Sequence, residues 1–209
     1  MKNYSISLPS YSIGDNVYDK ICEICLPFGK KAICIGGKTA ISNVKDLIIE
    51  ACCGSELEIL DFLWYGGDAT YENVKKLEEN ELVKKADIIF GIGGGKALDT
   101  AKALAFKTGK NIFTFPTIAS NCAGTTAVSI MYNDDGSFKE PFFFTAPPRH
   151  CFIYTPVIAK SPARFMWAGI GDTYAKYFEA EMSSRGEDLV HYHALGVTTS
   201  QMCLTPLLK

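Results

Sequence analysis

The sequence predicts an α/β architecture: a parallel sheet with helices on both faces, a β-hairpin near one rim, and then the opening of an all-helical second domain. Three observations carry this. Short apolar runs alternate with amphipathic stretches from Ala32 to Phe115. A strong turn signal, Asn133-Asp134-Asp135-Gly136, follows a strand-like run. From Ser161-Pro162 onward the pattern is helical.

Taken in order, Asn16 is placed to cap a helix over Val17–Leu26, which Pro27-Phe28-Gly29 closes. Ala32–Ile35 is a short buried strand ending at Gly36-Gly37. Ala40, Ile41, Val44, Leu47, Ile48 and Ala51 recur on one face of the next helix, which Gly54 stops. Ile59–Tyr65 is a second strand with Gly66-Gly67-Asp68 as its turn. Tyr71–Lys85 reads as one charged surface helix with Val74, Leu77 and Val83 turned inward.

The βαβ unit that follows organises the rest. Ile88-Ile89-Phe90 is an apolar strand leading into Gly93, Gly94 and Gly95. Ala97, Leu98, Ala101, Leu104 and Ala105 form the inner face of a helix, and Ile112–Phe115 is the returning strand. Such repetition makes the sheet Rossmann-like, with right-handed crossovers.

Beyond it, Thr126–Tyr132 alternates like a strand, and Phe142–Phe144 and Cys151–Tyr154 are further strands. The hairpin is expected to cover a ligand at the rim, to complete the sheet as an edge, or to do both. Ser161 is placed as cap and Pro162 as first residue of a helix, with Ala168–Arg185 and Leu189–Leu204 as two more. The expected boundary falls between residues 160 and 161.

Composition narrows the function. The 209 residues are 47% hydrophobic and 21% charged, as in a globular protein with a real core. Twenty-one basic against 23 acidic side chains give a net charge of −2, which offers no general attraction for nucleic acid or an anionic membrane. No apolar run is long enough to span a bilayer, and the first residues lack the apolar core of a signal peptide. A cytoplasmic protein is expected, with its eight cysteines as reduced thiols. Cys22 and Cys25 make a CxxC, but Val17, Ile21 and Ile24 carry a helical pattern through it, so both read as ordinary helix positions. Cys52 and Cys53 read as packing residues or exposed thiols.

In a sheet of this kind ligands sit beyond the carboxyl ends of the strands. Gly36-Gly37, Gly93–Gly95 and Thr117–Ser120 all lie there. Glycines allow a ligand close to the backbone, and the helix that follows offers unpaired N–H groups and a partial positive charge suited to phosphate. Lys96 adds a full charge, and Asp99 could accept from a ribose or amide. The alternative is a tight strand-to-helix turn that binds nothing.

Four motifs in order, GIGGGKALDTAKA, PTIAS, AVSIMYNDDGSF and AGIGDTYAKYFEAE, resemble the glycerol dehydrogenase branch of the iron-containing alcohol dehydrogenases. These are metal-dependent NAD(P) polyol dehydrogenases related to dehydroquinate synthase. The resemblance implies that Gly93, Gly94, Gly95 and Lys96 cradle the dinucleotide pyrophosphate, with Asp99 nearby. It implies that Thr117 and Ser120 contact the adenine side or the phosphates, and that Thr126, Val128 and Tyr132 line the nicotinamide pocket. Asp172 would be one ligand of a catalytic Zn²⁺ or Fe²⁺; read by itself it is a helix N-terminal acid favoured by the dipole. The implied reaction is hydride transfer between a small alcohol or polyol and the nicotinamide.

Three departures shape the expectation. Relatives supply two metal-binding histidines downstream of the aspartate, whereas this chain holds only His150, His191 and His193. His191 and His193, two apart, point to nearly opposite sides of a helix. The chain therefore reads as short at its C-terminal end, and a nucleotide-binding fragment without turnover is the alternative function. Cys122 stands where the glycerol enzymes carry a substrate-side aspartate. Gly37, followed by Lys38, stands where NAD-preferring relatives carry a ribose-binding acid, so NADP should be accepted or preferred. Apolar surface left on Ala168–Leu204 predicts a homo-oligomer.

Overall fold

The computed structural model describes residues 5–208. They form two compact units. The first comprises Ser7–Ile118 and Cys122–Ser161; the second is built from Ala119–Asn121 and the helices after Pro162.

The first unit is a six-stranded parallel sheet. Its strands are β1 (Tyr11–Gly14), β2 (Lys31–Gly36), β3 (Glu58–Trp64), β4 (Ile88–Gly93), β5 (Asn111–Pro116) and β8 (His150–Tyr154), in the order β1-β8-β5-β4-β2-β3. Two strands outside it, β6 (Val128–Tyr132) and β7 (Phe138–Phe143), pair antiparallel. The helices are α1 (Ile21–Cys25), α2 (Lys38–Cys52), α3 (Tyr71–Glu78), α4 (Glu81–Lys85), α5 (Gly95–Thr108) and α6 (Thr155–Ala159).

Successive residues of a strand point to opposite faces, and the two cores follow that period. Ala32 and Cys34 of β2, with Ile88, Phe90 and Ile92 of β4, pack beneath α1 and α2. Ile33, Ile35 and Ile89 pack on the other face with Val74 of α3, Leu104 of α5 and Met131 of β6. Phe90, Phe115 and Phe152 link β4, β5 and β8 through ring contacts of 4.8 and 4.9 Å. Aromatic pairs at this spacing add to what their buried area alone contributes.

Several expectations need correction. The helix placed at Val17–Leu26 is a 3₁₀ turn (Val17–Lys20), then α1, then a second 3₁₀ turn (Leu26–Phe28) around Pro27, and Asn16 makes no side-chain cap. The single helix at Tyr71–Lys85 is two, because the Asn80 side chain accepts from the N–H groups of Leu82 (2.8 Å) and Val83 (3.4 Å) and starts α4 afresh. The hairpin does not complete the main sheet as an edge. It forms its own two-stranded sheet, with one bridge to the main body at Thr70–Tyr132. The edge strand beside β8 is instead β1, a half-exposed strand that the apolar-run criterion passes over. Ser161 is not the cap of the following helix, since its hydroxyl donates back to the Ile158 carbonyl at 2.7 Å.

The second unit contains α7 (Ala163–Ser183), α8 (His191–Met202) and α9 (Leu204–Leu207), with Pro162 at the N-cap of α7. Gly169 is the buried residue of α7, and a Cβ there would lie 1.8 Å from the Ala119 carbonyl oxygen. Trp167, Met182 and Met202 are each about two-thirds or more exposed. Among the described residues, no helix is long and apolar enough to cross a membrane.

Candidate functional site

The carboxyl ends of β2 and β4 lie side by side, with Gly36 in register with Ile92. The chain leaves each strand directly into a helix. Gly37 is the N-cap of α2 and Gly94 the N-cap of α5, and neither helix has a side-chain cap. Two sets of first-turn N–H groups are therefore left without a side-chain acceptor on one rim, each at the positive end of a helix dipole. Gly93 takes φ +137°, a conformation open to glycine, and a Cβ there would come within 3.5 Å of Ala40 in α2 and 3.1 Å of Ala97 in α5. Around Gly37 an added Cβ would make only ordinary van der Waals contacts, at 3.8 Å to Ala40 and Tyr65, so nothing there crowds a side chain. The Thr117 N–H donates to the Gly93 carbonyl at 3.2 Å, tying the end of β5 to the glycine turn.

Lys96, in the first turn of α5, donates to the Asp68 carboxylate at 2.7 Å and sits 4.6 Å over the Tyr132 ring. The Asp68 hydrogen bond is the main influence raising the Lys96 pKa above its ordinary value. Asp68 follows Gly66 and Gly67, whose φ values of +104° and +100° make the sharp turn after β3. The Tyr132 N–H reaches the Ala69 carbonyl at 2.9 Å. The structure thus gathers Gly37, Gly93, Gly94, Gly95, Lys96, Thr117 and Tyr132 in this α/β unit. Asp68, read from sequence only as a turn residue, joins them. Its signal was a carboxylate directly after two glycines at a strand end.

Asp99 has a different environment. Its carboxylate pairs with Lys102 Nζ at 2.9 Å and accepts from the Ile130 N–H at 3.1 Å, and both side chains are buried. Lys102 also donates to the Val128 carbonyl, and at 3.4 Å to Thr126. The Ser129 hydroxyl donates to the Asp99 carbonyl at 3.0 Å. Burial pushes the Asp99 carboxyl up and the Lys102 ammonium down, and the attraction between them opposes both shifts. Thr126 and Val128 are held against this pair, so the hairpin is pinned to α5 by one buried ion pair. Lys102 escaped the sequence reading, although a lysine on a helix face of alanines and leucines was its signal.

Cys122 is exposed, and its carbonyl closes a turn by accepting from the Thr125 N–H at 3.0 Å. Ser120 belongs to the second unit. Asp172 lies there as well, in mid-helix rather than at a helix N-terminus, and pairs with Lys176 at 3.2 Å. His150 is buried between two hydroxyls, 2.7 Å from Ser10 and 3.0 Å from Ser12, where it joins β8 to the edge strand. His191 and His193 open α8. Among the described residues, no three His, Cys, Asp or Glu side chains are grouped to hold a metal ion. A catalytic zinc takes three protein ligands, so the described donor set does not fit one.

A dinucleotide is a different matter. Two uncapped helix starts and a positive-φ glycine with no side chain between them make a cradle that a Cβ at Gly93 would narrow.

Comparison with known proteins adds an independent observation. The sequence profile of the iron-containing alcohol dehydrogenases matches residues 9–151. A glycerol dehydrogenase of Thermotoga maritima is 43% identical over 117 residues, covering 56% of this chain and 32% of that protein. A glycerol dehydrogenase of Escherichia coli O6:H1 is 32% identical over 175 residues, covering 84% of this chain and 47% of that protein. The crystal structure of a probable glycerol dehydrogenase from Sinorhizobium meliloti 1021 superposes with a TM-score of 0.82 at 27% identity, over 96% of this chain and 56% of that one. The chain thus spans about half or less of the length of the curated relatives it matches.

Proposed function

The chain belongs to the iron-containing alcohol dehydrogenase family, and from that premise we propose that its α/β unit binds the nicotinamide dinucleotide of an oxidoreductase acting on small alcohols or polyols. The observation that carries the reading is the meeting of two uncapped helix N-termini at Gly37 and Gly93–Gly95. The N–H groups opening α5 bind the diphosphate, and Gly93 and Gly94 let it approach the backbone. Lys96 contributes positive charge from a position fixed by Asp68 and Tyr132. Tyr132, Thr126 and Val128 present the hairpin to the cofactor, and Asp99 with Lys102 keeps that hairpin in place. Thr117 and Ser120 serve the adenine side or the phosphates, and Cys122 faces substrate. When bound, the nicotinamide supplies hydride acceptance from a carbinol carbon.

Gly37 carries no carboxylate to repel a 2′-phosphate. Lys38 beside it, lying 4.7 Å over the Trp64 ring, makes NADP an accepted or preferred form. The glycerol dehydrogenases among the relatives support polyols as the substrate class. A second reading rests on Asp172, whose carboxylate is engaged by Lys176 and which belongs to no group of three metal-binding side chains among the described residues. On that reading these residues bind the nucleotide without turning over substrate by themselves.

The test is a fluorescence titration of the purified chain with NADH and NADPH, repeated on Lys96→Met, followed by a screen over small alcohols. Saturable binding weakened by the substitution supports the proposal. Lack of binding of either nucleotide refutes it, and binding without turnover selects the second reading.

A further inference from the structure

A cavity of about 200 Å³ opens at the C-terminal end of α5, a helix length of roughly 20 Å from the glycine turn. It lies between that helix end, the start of β5 and the segment that carries the chain from the hairpin to β8. Phe106 and Phe144 line it, with ring centroids 5.6 Å apart. Phe142 stands 5.2 and 5.1 Å from them and completes a three-ring cluster. Phe106 is nevertheless 55% exposed. A ring left so open beside a concavity is apolar area that a ligand can cover.

The charges in the lining are all of one sign. Lys102, Lys110 and Arg149 line the cavity, and no Asp or Glu does. Asp99 neutralises Lys102 at 2.9 Å. Lys110 and Arg149 make no ion pair among the described residues. Lys110 Nζ donates to the Lys84 and Ala86 carbonyls, which carry no full charge to balance it. Arg149 Nε donates to the Asn111 side-chain carbonyl at 2.7 Å, and its guanidinium lies 5.4 Å from the centre of the Phe28 ring. These two contacts orient the guanidinium plane and use one of its five N–H donors. The C-terminus of α5 opposes an anion with roughly half a negative charge. Its last turn is closed, however, by the Gly109 and Lys110 N–H groups at 3.3 and 3.0 Å, and two full positive charges outweigh it.

We propose that this cavity binds a small aromatic carboxylate, its ring against Phe106 and Phe144 and its carboxylate on Arg149, with Lys110 adding charge. Size limits the ligand to one ring. An apolar cavity of about 150 Å³ holds a benzene, so the volume here leaves room for a carboxylate and little more. A carboxylate matches the guanidinium fork through two parallel hydrogen bonds. A bare phosphate would use the charges and leave the rings uncovered. Bound there, the ligand joins Phe106 of α5 to Phe144 and Arg149 on the segment before β8.

The test titrates the isotope-labelled full chain with benzoate at neutral pH and follows the amide NMR shifts. They should saturate and gather at residues 105–112 and 144–149. Benzamide, a neutral analogue of the same shape, should bind at least about tenfold more weakly, and Arg149→Gln should lose about as much benzoate affinity. Phe106→Ser should weaken benzoate severalfold, and acetate, which lacks the ring, should bind more weakly than benzoate. Both substitutions fall at exposed positions. The proposal is overturned if benzoate does not saturate, if benzamide binds as tightly, or if Arg149→Gln leaves the affinity unchanged. Shifts gathered at Gly93–Lys96 instead overturn it, as does inorganic phosphate binding here as tightly as benzoate. The comparison of benzoate with benzamide on the wild-type chain decides the point even if a variant folds poorly.

Discussion

Removing either half of the Asp99–Lys102 pair should be costly, and removing both should cost no more than removing one. The side chains are 10% and 2% exposed, so neither charge can turn to water when its partner is lost. Burial pushes each group toward its neutral form despite the attraction. The pair is therefore worth little net, yet each half depends on the other. Stranding a charge in such a site costs about 3–5 kcal/mol. In Asp99→Leu/Lys102→Met no charge is stranded. What remains is an unpaired Ile130 N–H and Val128 carbonyl, at about 1–3 kcal/mol each. Urea unfolding followed by circular dichroism reads the result. With an m-value of about 2 kcal/mol/M, each single variant should shift the midpoint down by about 2 M. The double variant should lie near the worse single, a coupling of about 3 kcal/mol. Single-variant losses that simply add, to within about 0.5 kcal/mol, would refute the account of how the hairpin is held. So would an Asp99→Leu variant as stable as wild type.

Gly93→Ala should destabilise the protein by about 1–3 kcal/mol through its backbone conformation and weaken NAD(P)H binding in the same fluorescence titration; unchanged affinity would exclude the glycine turn from the cofactor site. His150 is pushed below its ordinary pKa, first by burial and then by the Lys20 charge. The unfolded chain therefore takes up a proton that the folded one resists, so stability is full above about pH 6.5 and declines as pH falls through it. His150→Gln should flatten that part of a Tm-against-pH series, and an unaltered slope would assign it to other groups. The exposed Trp167, Met182 and Met202 should drive self-association, seen as a dimer or larger species in light scattering and reduced in Trp167→Glu. A wild-type monomer at high concentration would contradict this.

The parallel sheet was legible because its buried strands are continuous apolar runs, such as Ile88-Ile89-Phe90, separated by helix-period stretches. The bend at Gly93–Gly95 was legible because three glycines between an apolar run and a helix-period stretch mark a sharp strand-to-helix turn. What escaped was set by side chains meeting across the chain. Strand β1 has no apolar run and is held by pairing with β8 and by the serine hydroxyls on His150. The break at Asn80 depends on one amide oxygen capping a new helix. Lys102 shows its role only once the hairpin brings the Val128 carbonyl to it. Likewise, the Cys22 thiol meets the Ala51 carbonyl and the Ser55 hydroxyl at the end of α2, and the CxxC spacing gave no sign of it.

The close approach at Gly169 has a practical consequence for anyone dissecting the protein. Ala119–Asn121 is interior to the first unit's sequence yet groups with the second, and the Ala119 carbonyl lies where a Gly169 side chain would be. One cut after Ser161 therefore does not release two self-sufficient pieces. Limited proteolysis, split reporters or transplantation of the sheet must keep α7 with that tripeptide, or redesign the three residues it leaves bare.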